Sequence, residues 1–331
     1  MPTLQDVARR AGISPSTASR VMNKYDGAFP ISQKTRERVL EAARELGYVP
    51  NAAAQALRRG KTRTISVLGS SPSFFRISTD PANFHMAAMA GLMEAAIERG
   101  YHVNLLSGTE TDPELGGAYA DIGLTDGLLI INRDLDMDAA YVESLKRLDK
   151  PVMYALDYPD GRGFYATAPD DVEGGAMATR RLRRAGHKRI AFVRSSGYAN
   201  IFDRRQAGWE KVMGAAAQRD AADLVMNVAD VAPDAFAARG VTAALCANDT
   251  TGIRLHRKLE EGGVSVPGDV AMMVFTHEAE KNPTPVDFDG VAEPLSRIVS
   301  SAARRLIDLV EGRRTKKTEL FAYNLKEGAT V

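Results

Sequence analysis

Cysteine is nearly absent. Cys246 is the single one among 331 residues, and it sits inside the apolar run 243–247. A lone thiol in such a run excludes a disulfide framework and fits a reducing compartment. Long hydrophobic runs are also missing: no stretch reaches the roughly 18 apolar residues that a membrane-crossing helix needs. The first residues, MPTLQDVARRAG, lack the apolar centre of a secretory signal. The expectation is a cytoplasmic protein with no membrane partner. The five histidines, His85, His102, His187, His256 and His277, never stand at HExxH or HxH spacing. With no second thiol to help, neither a metal nor another cofactor is expected. There is no GxSxG elbow, no GxxxxGK[ST] loop and no clean GxGxxG after the first strand, so no catalytic residue is assigned.

Net charge is also small, at +1, but it is unevenly spread. Residues 1–63 carry 12 Lys and Arg against 5 Asp and Glu, whereas the remainder carries 31 against 37. A basic front on an acidic body points to a polyanionic partner for the front alone.

The basic segment reads as three helices. Thr3 is a good N-cap for a helix over 4–11, and Gly12 allows the left-handed turn that ends it. Ser14 caps a second helix over about 15–23, with Pro15 at the first position, where a missing N–H costs nothing. Ala18, Val21 and Met22 share one side of it, leaving Ser16, Thr17, Ser19, Arg20 and Asn23 with polar tips elsewhere. Ser32 caps a third helix whose apolar positions are Val39, Leu40, Ala43 and Leu46, and Gly47 ends it. Two short helices around a glycine turn, supported by a third, form the helix-turn-helix pattern. A helix entering a major groove about 12 Å wide needs short polar donors and acceptors on its outer face. A generic three-helix bundle with a polar face would show the same capping.

The segment TLQDVARRAGISPSTASRVMN resembles the N-terminus of the lactose-repressor (LacI/GalR) family of bacterial transcription regulators. Thr3, Leu4, Asp6, Val7, Ala8, Ala11, Gly12, Ile13, Ser14, Thr17, Ser19, Arg20, Val21 and Asn23 match its pattern, as does KTRERVLEAARELGYVPNAAAQALRRG over 34–60. One departure is KYDGAFPI, 24–31, a longer loop before the third helix. The resemblance implies double-stranded, near-palindromic operator DNA as partner, read by Thr3, Leu4, Ser14, Pro15, Ser16, Thr17, Ser19, Arg20 and Asn23. Pro15 offers only apolar contact and Ser16 is permissive, so Arg20, Leu57 and DNA deformability are expected to carry much of the discrimination.

Residues 51–63, NAAAQALRRGKTR, form a short basic stretch with Leu57 as the only large apolar side chain. A helix this short is marginal alone in water. The resemblance makes it a hinge helix that orders on DNA, paired with its twin in a homodimer. Asn51 starts it, Ala54 permits close approach, Leu57 wedges between base steps, and Arg58 adds phosphate contact.

From Thr64 onward, apolar runs at 64–69, 101–106, 127–131, 151–156, 188–194, 222–228, 241–246 and 269–275 alternate with helical stretches at 84–99, 138–148, 172–185, 201–217, 249–261 and 295–311. Such alternation predicts an α/β fold of parallel sheets covered by helices, too long for one sheet. The resemblance implies a two-lobed, periplasmic-binding-protein-like effector domain whose chain crosses between lobes near 164–168, 288–293 and 317–323. Lobe 1 would span about 64–165 and 291–317, and lobe 2 about 166–289 and 318–331. The domain plan is thus 1–50 for DNA, 51–63 for the hinge and 64–331 for effector binding and dimerisation. The tail YNLKEGATV has no heptad repeat, so a dimer is expected rather than a tetramer.

The effector implied by the resemblance is small, polar and sugar-like. Arg205, in DRRQAGWEKVM, matches the family arginine that donates to ligand, and a planar fork suits that role. Trp209 reads as lobe core. Asn248 and Asp249 follow a strand in CANDTTG; Asp249 accepts ligand hydroxyls or caps the next helix. Asn132 and Asp157 stand at strand ends, and Asp171 at the first crossing, where it or Asp170 could instead be a cap. Phe74 or Phe75 supplies a ring against a sugar face, a role Phe84 and His85 could take. Thr276 stands where the family usually has an aspartate, with His277 beside it, so a simple hexose is less secure. A transport protein is the rival reading of the body alone; the missing signal and the DNA-reading front oppose it.

Overall fold

The computed structural model describes residues 2–23, 30–49, 60–69, 84–106, 125–131, 139–158, 163–197, 199–232, 234–278 and 284–331. The chain divides into two compact units, Met1–Thr62 and Arg63–Val331.

The first unit holds α1 (Leu4–Ala11), α2 (Pro15–Met22) and α3 (Gln33–Glu45). Each begins on a side-chain cap. Thr3 Oγ1 accepts from the Asp6 amide at 3.3 Å while Asp6 Oδ2 accepts from the Thr3 amide at 2.9 Å, a reciprocal capping box. Ser14 accepts from the Thr17 amide at 3.2 Å and Ser32 from the Thr35 amide at 3.3 Å. Gly12, with φ of 62°, lets the chain turn out of α1. Val7, Ala8, Ala11, Ala18, Val21, Val39, Ala42 and Ala43 form the core. Leu40, expected inside, is 44% exposed. Positions 39, 42, 43 and 46 make the continuous helical stripe, and 40 falls about 100° off it. Arg38 donates to the Ala11 carbonyl, and Arg10 pairs with Glu45 at 2.6 Å, fastening α3 to α1.

The second unit is α/β. Its elements are β1 (Thr64–Gly69), α4 (Phe84–Arg99), β2 (His102–Leu106), β3 (Gly127–Ile131), α5 (Ala139–Lys146), β4 (Val152–Ala155), β5 (Tyr165–Pro169), α6 (Asp171–Arg184), β6 (Ile190–Arg194), α7 (Ala199–Met213), α8 (Ala215–Leu224), β7 (Val225–Asn227), α9 (Ala235–Ala238), β8 (Ala243–Cys246), α10 (Asp249–Glu261), β9 (Ala271–His277), β10 (Asp289–Glu293), α11 (Leu295–Val310), β11 (Thr318–Phe321) and β12 (Asn324–Lys326). One sheet runs β11-β5-β4-β3-β1-β2, all parallel; the other runs β12-β10-β9-β8-β6-β7, with only β12 antiparallel. Every residue of GLLII (β3), AALC (β8) and AMMVFTH (β9) is buried, as strands covered on both faces must be.

The chain passes between sheets at Asp170, Pro294 and Ala322–Tyr323. This corrects the expected lobe limits. β5 lies wholly in the first sheet and β10 wholly in the second, and β11 returns to the first sheet before β12 joins the second. The first lobe therefore extends through Pro169 and takes in α11 and β11; the second runs from α6 through β10 and resumes at the tail. YATAP and DGVAE carry too little large apolar content to read as strands, yet both are almost wholly buried between neighbours. Two further differences are local. The expected helix over 201–217 breaks at Gly214 (φ 59°), and the expected strand over 222–228 shrinks to β7 because α8 runs on to Leu224.

Candidate functional site

The polar face of α2 is set by its own cap. Ser14 Oγ lies 2.9 Å from both Ser16 Oγ and Thr17 Oγ1. Pro15 and Ser16 are exposed; Thr17, Ser19, Arg20 and Asn23 are half-buried. Asn23 Nδ2 donates to the Ser19 carbonyl at 2.7 Å and to Ser19 Oγ at 3.2 Å, closing the far end of the helix. Thr3 Oγ1 donates to Asp6 Oδ2 at 2.7 Å, and Leu4 packs against the unit's core. The hydroxyls at 3, 14 and 17 thus already serve caps, and that of Ser16 bonds the Ser14 cap. Asn51, Ala54, Leu57 and Arg58 lie outside the described residues.

In the second unit, Asp170 settles which aspartate caps α6: its side chain accepts from the Glu173 amide at 3.0 Å. Asp171 is left free and wholly buried. Its Oδ1 accepts from Arg205 Nε at 2.8 Å and from the Tyr323 hydroxyl at 2.7 Å. Arg205 also donates to the Ala247 carbonyl at 2.6 Å and to Tyr323 Oη at 3.0 Å. Its guanidinium stacks 4.3 Å from the centre of the Phe275 ring. Burial opposes the Arg205 charge, but Tyr323, Asp171 and Glu293 outweigh it and hold the group above its ordinary value. Three of its five N–H groups are committed to protein acceptors, so the fork is a junction first and a ligand donor second. The junction stands where the chain changes lobes, since Asp171 follows the first crossing, Glu293 precedes the second and Tyr323 lies in the third.

Arg204, the neighbour on α7, reaches across. It donates to the carboxylate of Asp157, which follows β4 of the first lobe, and its guanidinium lies 4.2 Å over the Tyr158 ring. Asp157 Oδ1 also accepts from the Tyr158 amide at 2.7 Å. Burial pushes the Asp157 carboxyl up, against the pull of Arg204. Burial likewise opposes the Arg204 charge, but Asp157 and Asp171 more than offset it and raise that group. Arg204 Nε faces Asp171 Oδ2 at 3.6 Å, and both atoms are buried without a hydrogen-bond partner. The pair leaves one donor and one acceptor short of a full hydrogen bond, the kind of groups a small polar ligand satisfies.

The other expected residues divide. Asn248, rather than Asp249, caps α10, accepting from the Thr251 amide at 2.8 Å. Asp249 Oδ1 accepts from the Thr250 amide at 2.7 Å, so part of its acceptor capacity is spent locally. Thr276 and His277, read as a post-strand loop, are the last residues of β9, at 8% and 5% exposure, beside Ala292 and Glu293 of β10. Trp209 is core: its Nε1 donates to the Ile190 carbonyl at 3.2 Å and its ring tilts onto Phe192 at 6.2 Å. Phe74, Phe75 and Asn132 lie outside the described residues. Sequence reading missed Arg204, Tyr158, Phe275 and Tyr323. The Arg-Arg doublet on one helix was a signal for Arg204. Nothing local marked Tyr323, whose acceptor Asp171 is 152 positions away.

A helix-turn-helix unit joined to two parallel sheets with three crossings defines a class: DNA-binding regulators with a periplasmic-binding-type body. The pattern of bacterial regulatory proteins of the lacI family matches residues 3–51, and that of the periplasmic binding protein-like domain matches 179–331. The chain thus pairs a lacI-family DNA-binding domain with a periplasmic binding protein-like domain, and along its whole length it is similar to HTH-type transcriptional regulators. The HTH-type transcriptional regulator CelR of Thermobifida fusca is 29% identical over 337 residues, covering 96% of this chain and 95% of its own. The HTH-type transcriptional repressor PurR of Vibrio campbellii is 26% identical over 335 residues, covering 96% and 94%. The structure of a CelR–cellobiose complex superposes with a TM-score of 0.68 at 28% identity over 100% of both chains. The Lac repressor dimer bound to operator and the anti-inducer ONPF shares the fold, with a TM-score of 0.77 at 24% identity over 99% and 98%.

Proposed function

We propose that the protein is a homodimeric repressor whose hold on a near-palindromic operator is set by a small sugar-like effector bound between the lobes. The observation that carries this reading is the Arg204–Asp157 contact beside the Arg205–Asp171–Tyr323 junction. A ligand there touches both lobes at once, and it acts by preferring one lobe arrangement over another. The CelR complex with cellobiose supports a sugar as the ligand class. Residues 1–50 read DNA, with the hinge at 51–63 ordering on the duplex. No catalytic step or cofactor is assigned, and the site of action is the chromosome in the cytoplasm. Among the described residues no helix is long and apolar enough to cross a membrane.

The dimer has a candidate face. Met86, Met93 and Ile97 share one side of α4 at 67%, 42% and 71% exposure. A second copy of the chain is the fitting occupant, because a near-palindromic operator calls for two-fold symmetry. Ile97→Glu should shift sedimentation toward monomer; an unchanged dimer would place the interface elsewhere.

The function is tested by fluorescence anisotropy with genomic fragments across a salt series, repeated with mono- and disaccharides. DNA affinity should fall steeply with salt, as phosphate contacts require, and one sugar should change it. A protein indifferent to every fragment overturns the reading. Arg20→Ala should reduce the preference for operator over random DNA by about 1–3 kcal/mol. An unchanged preference ratio would remove Arg20 from base readout.

A further inference from the structure

A cavity of about 350 Å³ lies in the second lobe, apart from the junction. Its wall includes Ser195, just past β6, Asn227, at the end of β7, and Arg254, Arg257, Lys258 and Glu261 along one face of α10. None of the residues that build the junction lines it. The carboxyl ends of parallel strands are where α/β sheets bind ligands, and this cavity sits at two such ends side by side. The two arginines and the lysine, at i, i+3 and i+4, project from the same helix face.

Its lining holds three cations and one carboxylate. Arg99, Arg189 and Arg304 each contact a carboxylate, at 2.8, 2.8 and 2.7 Å. Arg254 and Arg257, both exposed, have no carboxylate within ion-pair distance among the described residues. Lys258 is fixed by neutral acceptors, donating to the Ala229 carbonyl at 2.7 Å and the Val231 carbonyl at 3.2 Å, so its charge too goes unmatched. Glu261, on the same face, forms no ion pair with either neighbour. Ser195 Oγ stands 3.4 Å from Thr251 Oγ1 of α10. Three cations against one carboxylate, with a serine and an asparagine in the same lining, is a donor set for a small multivalent anion. Guanidinium forks bind phosphoryl oxygens in pairs, which a lysine alone does not.

We infer that this cavity is a second ligand site, separate from the effector cleft, and that it takes the phosphoryl group of a small phosphate monoester or of free phosphate. Arg254 and Arg257 grip the phosphoryl oxygens, and Ser195 and Asn227 face the rest of the ligand.

The test uses isothermal titration of the full-length protein with three probes: inorganic phosphate, glucose 6-phosphate and glucose. Both phosphorylated probes, or the ester alone, should bind more weakly as salt rises. The Arg254→Ala/Arg257→Ala double variant should lose at least tenfold in affinity for them while keeping the parent's circular dichroism and melting temperature. Arg254→Lys should retain part of the binding, since it keeps the charge and loses the fork. Equal binding of the ester and free phosphate identifies the phosphoryl group alone as the ligand; preference for the ester adds its alcohol portion. The inference is overturned if neither phosphorylated probe binds. It is also overturned if the double variant binds both like the parent, or if Asp157→Ala rather than the double variant removes binding. Glucose reports only on the effector cleft, so its behaviour leaves this result independent of the proposed effector.

Discussion

Arg205→Met should destabilise the second unit by about 3–5 kcal/mol, the cost of leaving a buried carboxylate without its partner. Asp171 is wholly buried and Arg205 is 3% exposed, so water cannot take over the lost contact without opening the lobe. Tyr323 would still donate to Asp171, but among the described residues the full charge would be met only by Arg204 Nε at 3.6 Å. The double variant Arg205→Met/Asp171→Leu should cost clearly less than the single one, because it removes both charges and fills the space with apolar atoms. Urea denaturation of parent, both singles and the double closes the cycle. Additive costs would mean that the two side chains are not coupled. Arg205→Lys separates stability from signalling. An ammonium can still reach Asp171, but it cannot span Asp171, the Ala247 carbonyl and Tyr323 together. That variant should fold, bind operator through the separately cored unit Met1–Thr62, and respond poorly to effector. A normal response would place the coupling in Arg204 and Asp157 instead.

Local chemistry was what the sequence made legible. Thr3, Ser14 and Ser32 announce their helices because a cap is a contact within three or four residues, and the structure finds each one bonded as such. The long buried strands announce themselves because parallel sheets need apolar runs. β5 and β10 did not, since their burial comes from neighbours and not from large side chains, and neither did β11 and β12, short edge strands that stay exposed or half-buried. That is why the first two crossings fall one or two residues beyond their expected ranges, whereas the third falls within its own. The junction was half legible. Arg205 and Asp171 were named singly, but a junction assembled from α6, α7, β8, β9 and the third crossing has no sequence spacing to read. The aspartate choice shows the limit well. Asp170 and Asp171 are equal as letters, and only the direction in which α6 starts decides which one caps and which one is buried.

Gly208→Ala should lower stability by about 1–3 kcal/mol or more, although alanine is the better helix former by about 1 kcal/mol. The two effects oppose each other, and the geometry decides the sign. A Cβ at 208 would fall 2.0 Å from the Val172 carbonyl oxygen and 2.7 Å from the Ala176 nitrogen; one at 175 would fall 2.1 Å from the Arg205 carbonyl oxygen. These are backbone atoms of helices packed glycine against glycine, so no side chain can swing aside. Relief requires α6 and α7 to separate. Asp171 rides on the first of these helices and Arg204 and Arg205 on the second, so separation also stretches the 2.8 Å contact at the junction. Ala207→Gly, at an exposed position one residue away, should show the propensity cost alone, about 1 kcal/mol. Urea midpoints of the two variants provide the comparison, and Gly208→Ala should be the less stable. Its cost should also be non-additive with that of Arg205→Met, because both act through one interface. A neutral or stabilised Gly208→Ala would show that the helices have slack, and the close approach would then lose its role in aiming the two arginines.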